Sequence, residues 1–151
     1  MMNALETIKK LAKVYAESVQ AKSSEMSGTE LNEEKGFIPS FKSAVAKKNM
    51  LERKAGQTDG FVCKSSAGRV VRLIQNYDSA IYTAEPEELP AQWRFVWSKK
   101  PEHALPFVAI STSTYDTGDC CTENGLIYRS KINGNVYAPS AYPQGWEVVE
   151  L

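Results

Sequence analysis

The chain has 151 residues, with 18 basic and 18 acidic side chains and a formal net charge of zero. That length holds one domain or two very small ones, and the balanced charge excludes a global field that would draw in nucleic acid or an acidic membrane surface. No apolar run approaches the roughly 20 residues that cross a bilayer, and the N-terminus lacks the unbroken apolar stretch of a secretory signal, so membrane insertion is not expected and the expected origin is a cytosol.

In chain order, Leu5 to Ala21 predicts an amphipathic helix. Leu5, Ile8, Ala12, Tyr15 and Val19 recur at steps of 3, 4, 3 and 4, Leu11 and Val14 widen the stripe, and Lys9, Lys10, Lys13 and Glu17 face water. The same alternation suits a coiled-coil seam, here about two heptads long. The stripe therefore either packs on the chain's own β core or self-associates. Ser23 to Gly28 is a polar break. Thr29 to Glu34 fits one helical turn ended by Gly36, and Phe37 to Phe41 is expected to be extended because Pro39 removes a donor and restricts Ile38. A second, weaker helix fits Ser40 to Lys54, with Phe41, Ala44, Val45 and Leu51 on its apolar side and Gly56 as a stop. Its Lys47, Lys48, Arg53 and Lys54 form a basic cluster that faces Glu30, Glu33 and Glu34 upstream, a solvated surface of mixed sign.

From Asp59 the pattern turns to short strands. Phe61-Val-Cys63, a turn at Ser65 to Gly68, and Arg69 to Ile74 predict a hairpin. Glu85 to Pro90 is a proline-bounded loop before a strand over Trp93 to Trp97. Lys99 to Pro106 is a linker holding a helical turn. Asp119 to Thr122 and Leu126 to Ile132 predict a second hairpin, closed by Asn124-Gly125, where both residues tolerate positive φ. These elements divide the chain into an N-terminal helical and extended segment (1–57) and two small antiparallel β modules (58–100 and 101–151), an α+β fold.

The two modules carry the same landmarks. Cys63-x4-Gly68-x3-Arg72, then Tyr82, Pro90, Trp93 and Val96, returns as Cys120-x4-Gly125-x3-Arg129, then Tyr137, Pro143, Trp146 and Val149. The offset is 57 residues at the Cys, Gly and Arg (120 − 63), 55 at the Tyr (137 − 82) and 53 at the Pro, Trp and Val (146 − 93). Matched positions with drifting offsets are what an internal duplication with loop changes leaves. Each Trp is then expected to close the core of its own module.

Three cysteines and a single histidine give no metal pattern, and no cofactor is implied. Cys63, Cys120 and Cys121 are expected as structural thiols; a bridge from Cys63 to either later cysteine stays open, against the reducing origin. No phosphate loop, dinucleotide fingerprint or nucleophile elbow is present, and Glu33/Glu34 and Glu87/Glu88 adjoin polar or proline-rich loops rather than a cleft, so no catalytic residue is proposed.

Tyr115-x-x-Gly118-Asp119-x4-Asn124-Gly125-x-x-Tyr128-Arg129, closing on Pro143-x-x-Trp146-Glu147-Val148-Val149, resembles the small carbohydrate-binding modules of families 5 and 12, which are appended to chitinases and cellulases. The same pattern is similar to the C-termini of bacteriophage and prophage structural proteins of tail or fibre type, which Ser27-Gly-Thr-Glu-Leu31 and Ile38-Pro39-x-Phe41 also resemble. The module likeness covers about the last 40 residues, the phage likeness most of the chain. Its implication is a non-catalytic virion component that oligomerises, or docks on other phage structural proteins, through the N-terminal helix and displays β modules for cell-surface polysaccharide. The alternative is a carbohydrate-binding module outside any particle. Such modules stack exposed aromatics on sugar rings. Here Tyr142 and Trp97, which lack counterparts in the other module, lead the candidates. Tyr137, whose counterpart Tyr82 favours a core role over a ligand role, follows, with Asn133 and Asn135 to bond hydroxyls.

Overall fold

A computed structural model describes residues 2–46, 60–78 and 80–151. It is α+β: an N-terminal helix followed by two small sheets. Helix α1 runs Ala4–Lys22. Asn3 starts it through a reciprocal capping box, in which the Asn3 side chain accepts from the Glu6 N–H and the Glu6 carboxylate accepts from the Asn3 N–H. A 3-10 turn at Ser23–Glu25 follows, then α2 (Gly28–Glu33), capped in the same way by Ser27 and Glu30. A 3-10 turn at Lys35–Phe37 replaces the start of the extended stretch expected there; only Ile38 to Ser40 is extended. Helix α3 then spans Phe41–Ala46. The remainder of the second helix expected from sequence, with its basic cluster, Leu51 and the Gly56 stop, lies outside the described residues.

The first sheet is an antiparallel meander of β1 (Val62–Lys64), β2 (Val70–Leu73) and β3 (Trp93–Phe95). The second has β4 (Leu105–Pro106), β5 (Cys120–Glu123), β6 (Leu126–Ser130) and β7 (Trp146–Val149), antiparallel except for β4 beside β5. The β5–β6 turn is the expected Asn124-Gly125, both at positive φ (52° and 78°).

The sequence landmarks fall on matching positions of the two sheets. Arg72 faces Arg94 and Leu73 faces Trp93; Arg129 faces Glu147 and Ser130 faces Trp146. One residue further, the Ile74 N–H donates to Gln92 O and the Lys131 N–H to Gly145 O. The first strands match one residue away from the sequence expectation. Cys63 faces Val71 and Cys121 faces Tyr128, so the partner of Cys63 is Cys121 rather than Cys120. The reason is the turn, which has five residues between Lys64 and Val70 and four between Thr122 and Ile127.

The match also begins earlier than the sequence showed. The turns at Lys35–Phe37 and Pro101–His103 lie 66 residues apart (101 − 35). Each leads into an extended stretch parallel to the first strand of its hairpin: Ser40 against Lys64, and Pro106 against Thr122. Phe41 then meets Trp93 edge to face at 5.8 Å and 90°, and Phe107 meets Trp146 at 6.1 Å and 89°.

Trp93 sits fully buried among Phe41, Ala44, Cys63, Val71, Leu73, Phe95 and Ile110. Trp146 closes a smaller cluster with Tyr115 and Cys121. The two sheets are joined through side chains. Trp97 stacks on Tyr115 at 4.3 Å and 9°, and its indole N–H donates to Ser113 O. The buried Arg69 guanidinium pairs with Glu87 at 3.1 Å and donates to Pro106 O at 2.7 Å. All three cysteines are buried and free.

Among the described residues, helix α1 meets the body through its C-terminal half, from Tyr15 against Phe37 to Gln20 beside Val62. Of the two readings of the stripe, packing on the chain's own β core is met at Val19, which is buried in a cluster with Leu31, Ile38, Val62 and Val70. The Gln20 side-chain amide bonds both backbone groups of Val62, donating to its O at 2.7 Å and accepting from its N–H at 3.0 Å. It thereby acts as one residue of a neighbouring strand. Replacing Gln20 with Ala leaves both groups of Val62 unpaired and is expected to cost about 1 to 3 kcal/mol in urea unfolding.

Candidate functional site

Three surfaces carry the residues singled out by sequence. The first is the loop from Asn133 to Tyr142 beside the second sheet. Tyr137 and Tyr142 are 56 % and 37 % exposed, with ring centroids 5.7 Å apart and planes tilted by 60°. Their backbone is fixed: the Tyr137 N–H donates to Asn135 Oδ1, Tyr137 O accepts from the Trp146 indole, and the Tyr142 N–H donates to Ala138 O. Tyr137 therefore braces Trp146 with its main chain while its ring stays in solvent. Asn133 is exposed, and its Oδ1 accepts from the Thr117 N–H. Asn135 is not on this surface. It is fully buried, its amide donating to Ser130 Oγ and Gly145 O and its backbone bridging Tyr115. Those bonds occupy it inside the fold, so the exposed part of the patch is Tyr137, Tyr142 and Asn133.

The second surface is a polar cleft of about 360 Å³ beside Trp97. The indole is half-buried, with one face against Tyr115, so Trp97 is a joint between the sheets rather than an open platform. The charges at the cleft are matched within the chain. Lys99 Nζ donates to Thr117 O and approaches Asp119 Oδ1 at 3.4 Å, and Asp119 Oδ2 accepts from the Asp116 N–H. Burial raises the Asp119 carboxyl above its usual range, opposed by that N–H and by Lys99. On the other wall α2 comes so near that a Cβ on Gly28 would collide with the Trp97 carbonyl.

The third surface is the free part of α1. Leu5, Ile8, Leu11 and Val14 are 59, 62, 64 and 55 % exposed. Beside them Ile8, Leu11, Val14, Tyr15 and Phe37 line a groove of about 570 Å³. Tyr15 packs edge-on against Phe37 at 4.5 Å and donates its hydroxyl to Glu34, which raises the phenol's pKa. Helical spacing of 100° per residue spreads the apolar side chains from Val14 round to Ala16 over roughly 200° of the helix, wider than a two-stranded seam requires. That width was visible in the sequence, where Leu11 and Val14 flank the 3–4 repeat.

Among the described residues no cluster of His, Cys, Asp or Glu has the makings of a metal site, and no helix is long and apolar enough to cross a membrane. Compared with known protein families, curated proteins and solved structures, the chain shows no significant match.

Proposed function

We propose that the chain is a non-catalytic structural or adaptor component of a phage or phage-like particle, built around an internally duplicated β unit. Copies of the chain associate through α1 and display the β units toward cell-surface polysaccharide. The observation that carries this reading is the exposed apolar run on the first three turns of α1. An isolated helix of that length is marginal in water, so its apolar face is most stable against other helices. The width of the stripe favours a bundle of more than two helices, in which each helix is covered on both flanks.

Light scattering of the full chain and of a Leu5→Lys, Ile8→Lys, Leu11→Lys variant tests it. The parent is expected as an oligomer and the variant as a folded, smaller species. A parent that stays monomeric at about 100 μM, or an oligomer indifferent to the three lysines, sinks the association.

Attachment to glycan draws on the exposed pair Tyr137 and Tyr142, which offers rigid aromatic faces at low entropic cost, with the Asn133 amide beside it for hydroxyls. The same pair supports the alternative, a carbohydrate-binding module without a particle. Multiplied in an oligomer, weak sites of this kind gain through avidity. In a pull-down on bacterial polysaccharide or peptidoglycan, Tyr142→Ala is expected to lower retention at least about tenfold. Absence of retention by the parent protein removes the sugar reading.

A further inference from the structure

The sequence holds the dipeptide Asn-Gly twice, at Asn124-Gly125 and at Asn133-Gly134. In such a pair the glycine nitrogen can reach the asparagine side-chain carbonyl, because the glycine has no Cβ to obstruct it. The two copies meet different surroundings. Asn124-Gly125 is the exposed tip of the β5–β6 hairpin, with both residues at positive φ. Among the described residues, neither the Asn124 side chain nor the Gly125 N–H has a hydrogen-bond partner.

Asn133-Gly134 is gripped at both reacting groups. Tyr115 and Asn135 bond each other's backbone in both directions, at 3.0 and 2.8 Å, which sets the residues after Tyr115 alongside those before Asn135. Asp116 Oδ1 accepts there from the Gly134 N–H at 2.9 Å, and Asn133 Oδ1 accepts from the Thr117 N–H at 3.0 Å. Asp116 is held in turn, its N–H donating to Asp119 Oδ2 and its O accepting from the Asp119 N–H. A carboxylate thus lies on the proton of the nucleophile, and a backbone donor on the oxygen that would gain charge. Both contacts fall at the distances that a general base and an oxyanion donor require. Asn133 and Gly134 are exposed, so water has access to the site.

We infer that Asn133-Gly134 is a self-modification site, at which the folded chain converts Asn133 to aspartate and isoaspartate through a cyclic imide. Gly134 N gives its proton to the Asp116 carboxylate, and its electron pair forms a bond to Asn133 Cγ. The oxyanion created on Asn133 Oδ1 is held by the Thr117 N–H. Its collapse breaks the Cγ–Nδ2 bond, and the departing nitrogen takes the proton back from Asp116 and leaves as ammonia. Water then opens the imide, at Cγ to give aspartate or at the Asn133 backbone carbonyl to give isoaspartate. Either product sets a new carboxylate beside Asp116, and isoaspartate also lengthens the main chain ahead of Tyr137. The conversion stands apart from sugar binding and is read without it.

The full chain is incubated in neutral buffer, folded and in guanidinium chloride, while peptide mass spectrometry follows each Asn-Gly separately. Folding is expected to speed conversion of Asn133 at least about tenfold over the unfolded chain, since a positioned base alone contributes about a hundredfold or more. Asn124, fixed in its tight turn without base or donor, is expected to convert no faster folded than unfolded. Asp116→Asn keeps the shape and an acceptor oxygen but takes no proton. It is expected to slow Asn133 at least about tenfold, with Asn124 and the far-UV dichroism unchanged. Folded parent protein that converts Asn133 no faster than the unfolded chain overturns the site, and assigns both hydrogen bonds to restraint. A folded Asp116→Asn variant that converts Asn133 at the parent's rate overturns the role of the base. Should that variant lose its fold, the ratio of folded to unfolded rates in the parent decides by itself.

Discussion

Replacing Trp93 with alanine is expected to lower stability by about 3 to 5 kcal/mol, the range for removing a large aromatic from a core. Trp93 is fully buried, its edge meets Phe41, and Tyr77 lies 5.5 Å away. With a total stability of roughly 5 to 15 kcal/mol for a chain of this size, that loss brings the protein close to its unfolding threshold. Trp146→Ala is expected to cost somewhat less. It sits in a smaller cluster, at 5 % exposure, and its indole N–H is bonded to Tyr137 O. Guanidinium unfolding followed by far-UV dichroism measures both. Because Trp97–Tyr115 and Arg69–Pro106 tie the sheets together, each variant is expected to shift one shared transition. Two separated transitions, with only one displaced by each mutation, would show that the sheets melt independently.

The second large effect is with pH. Burial pushes the Cys63 thiol well above its ordinary range, helped by Glu85 and Glu87, and pushes Cys121 up to about 12, helped by Glu123 and Cys120. In the unfolded chain both titrate near 8.5. A raised folded pKa means that the native state keeps protons the unfolded state has released. The stabilisation is complete below about pH 8.5 and is lost as pH rises through the folded values. Each thiol contributes a slope of about 1.4 kcal/mol per pH unit in that window, so two units of alkalinity cost roughly 5 kcal/mol between them. The parent is therefore expected to lose roughly 5 kcal/mol of stability between about pH 8.5 and about pH 10.5, read as a falling denaturant midpoint over that range. A Cys63→Ala, Cys121→Ala variant starts less stable, yet its stability should fall with a visibly shallower slope. An identical slope in that variant would assign the alkaline loss to other groups. The same burial predicts slow labelling of all three native thiols at pH 8.

The elements that carry their own chemistry were legible in the sequence. Helix α1 was placed within a residue or so by its 3–4 spacing, and Asn124-Gly125 marked its hairpin because few residue pairs accept two positive φ angles. The strands expected over Arg69 to Ile74, Trp93 to Trp97 and Leu126 to Ile132 are β2, β3 and β6, whereas β7 was marked only by its Trp146 and Val149 landmarks. What the sequence hid was long-range. Phe41 and Phe107 take the same role, yet their flanks share no pattern except a nearby proline, and a parallel partner 24 or 16 residues away leaves no local periodicity. Cys63 was aligned with Cys120 because both precede a glycine by the same interval, although a longer turn shifts the pairing to Cys121. At the candidate site, Asn135 carried the side chain of a surface ligand and is buried because its amide bonds Ser130 Oγ, Gly145 O and the Tyr137 N–H inside the fold. Trp97 lacked a counterpart in the second module because its work is to join the two, and a joint occurs once. The width of the apolar arc on α1 was readable, but whether the body covers it depends on where the chain turns after Lys22, which no local signal specifies.

Arg72, in the middle strand of the first sheet, reaches across to the carbonyls of Ser23 and Met26, where the chain leaves α1, while Gln20 clips the same helix to Val62. Tension applied along the helix is thus delivered to the middle strand of a sheet, through Arg72, as well as to its edge, through Val62. Pulled from its N-terminus in a single-molecule experiment, the protein should yield abruptly at one high force, and Arg72→Met should soften that rupture before it alters anything at the second sheet.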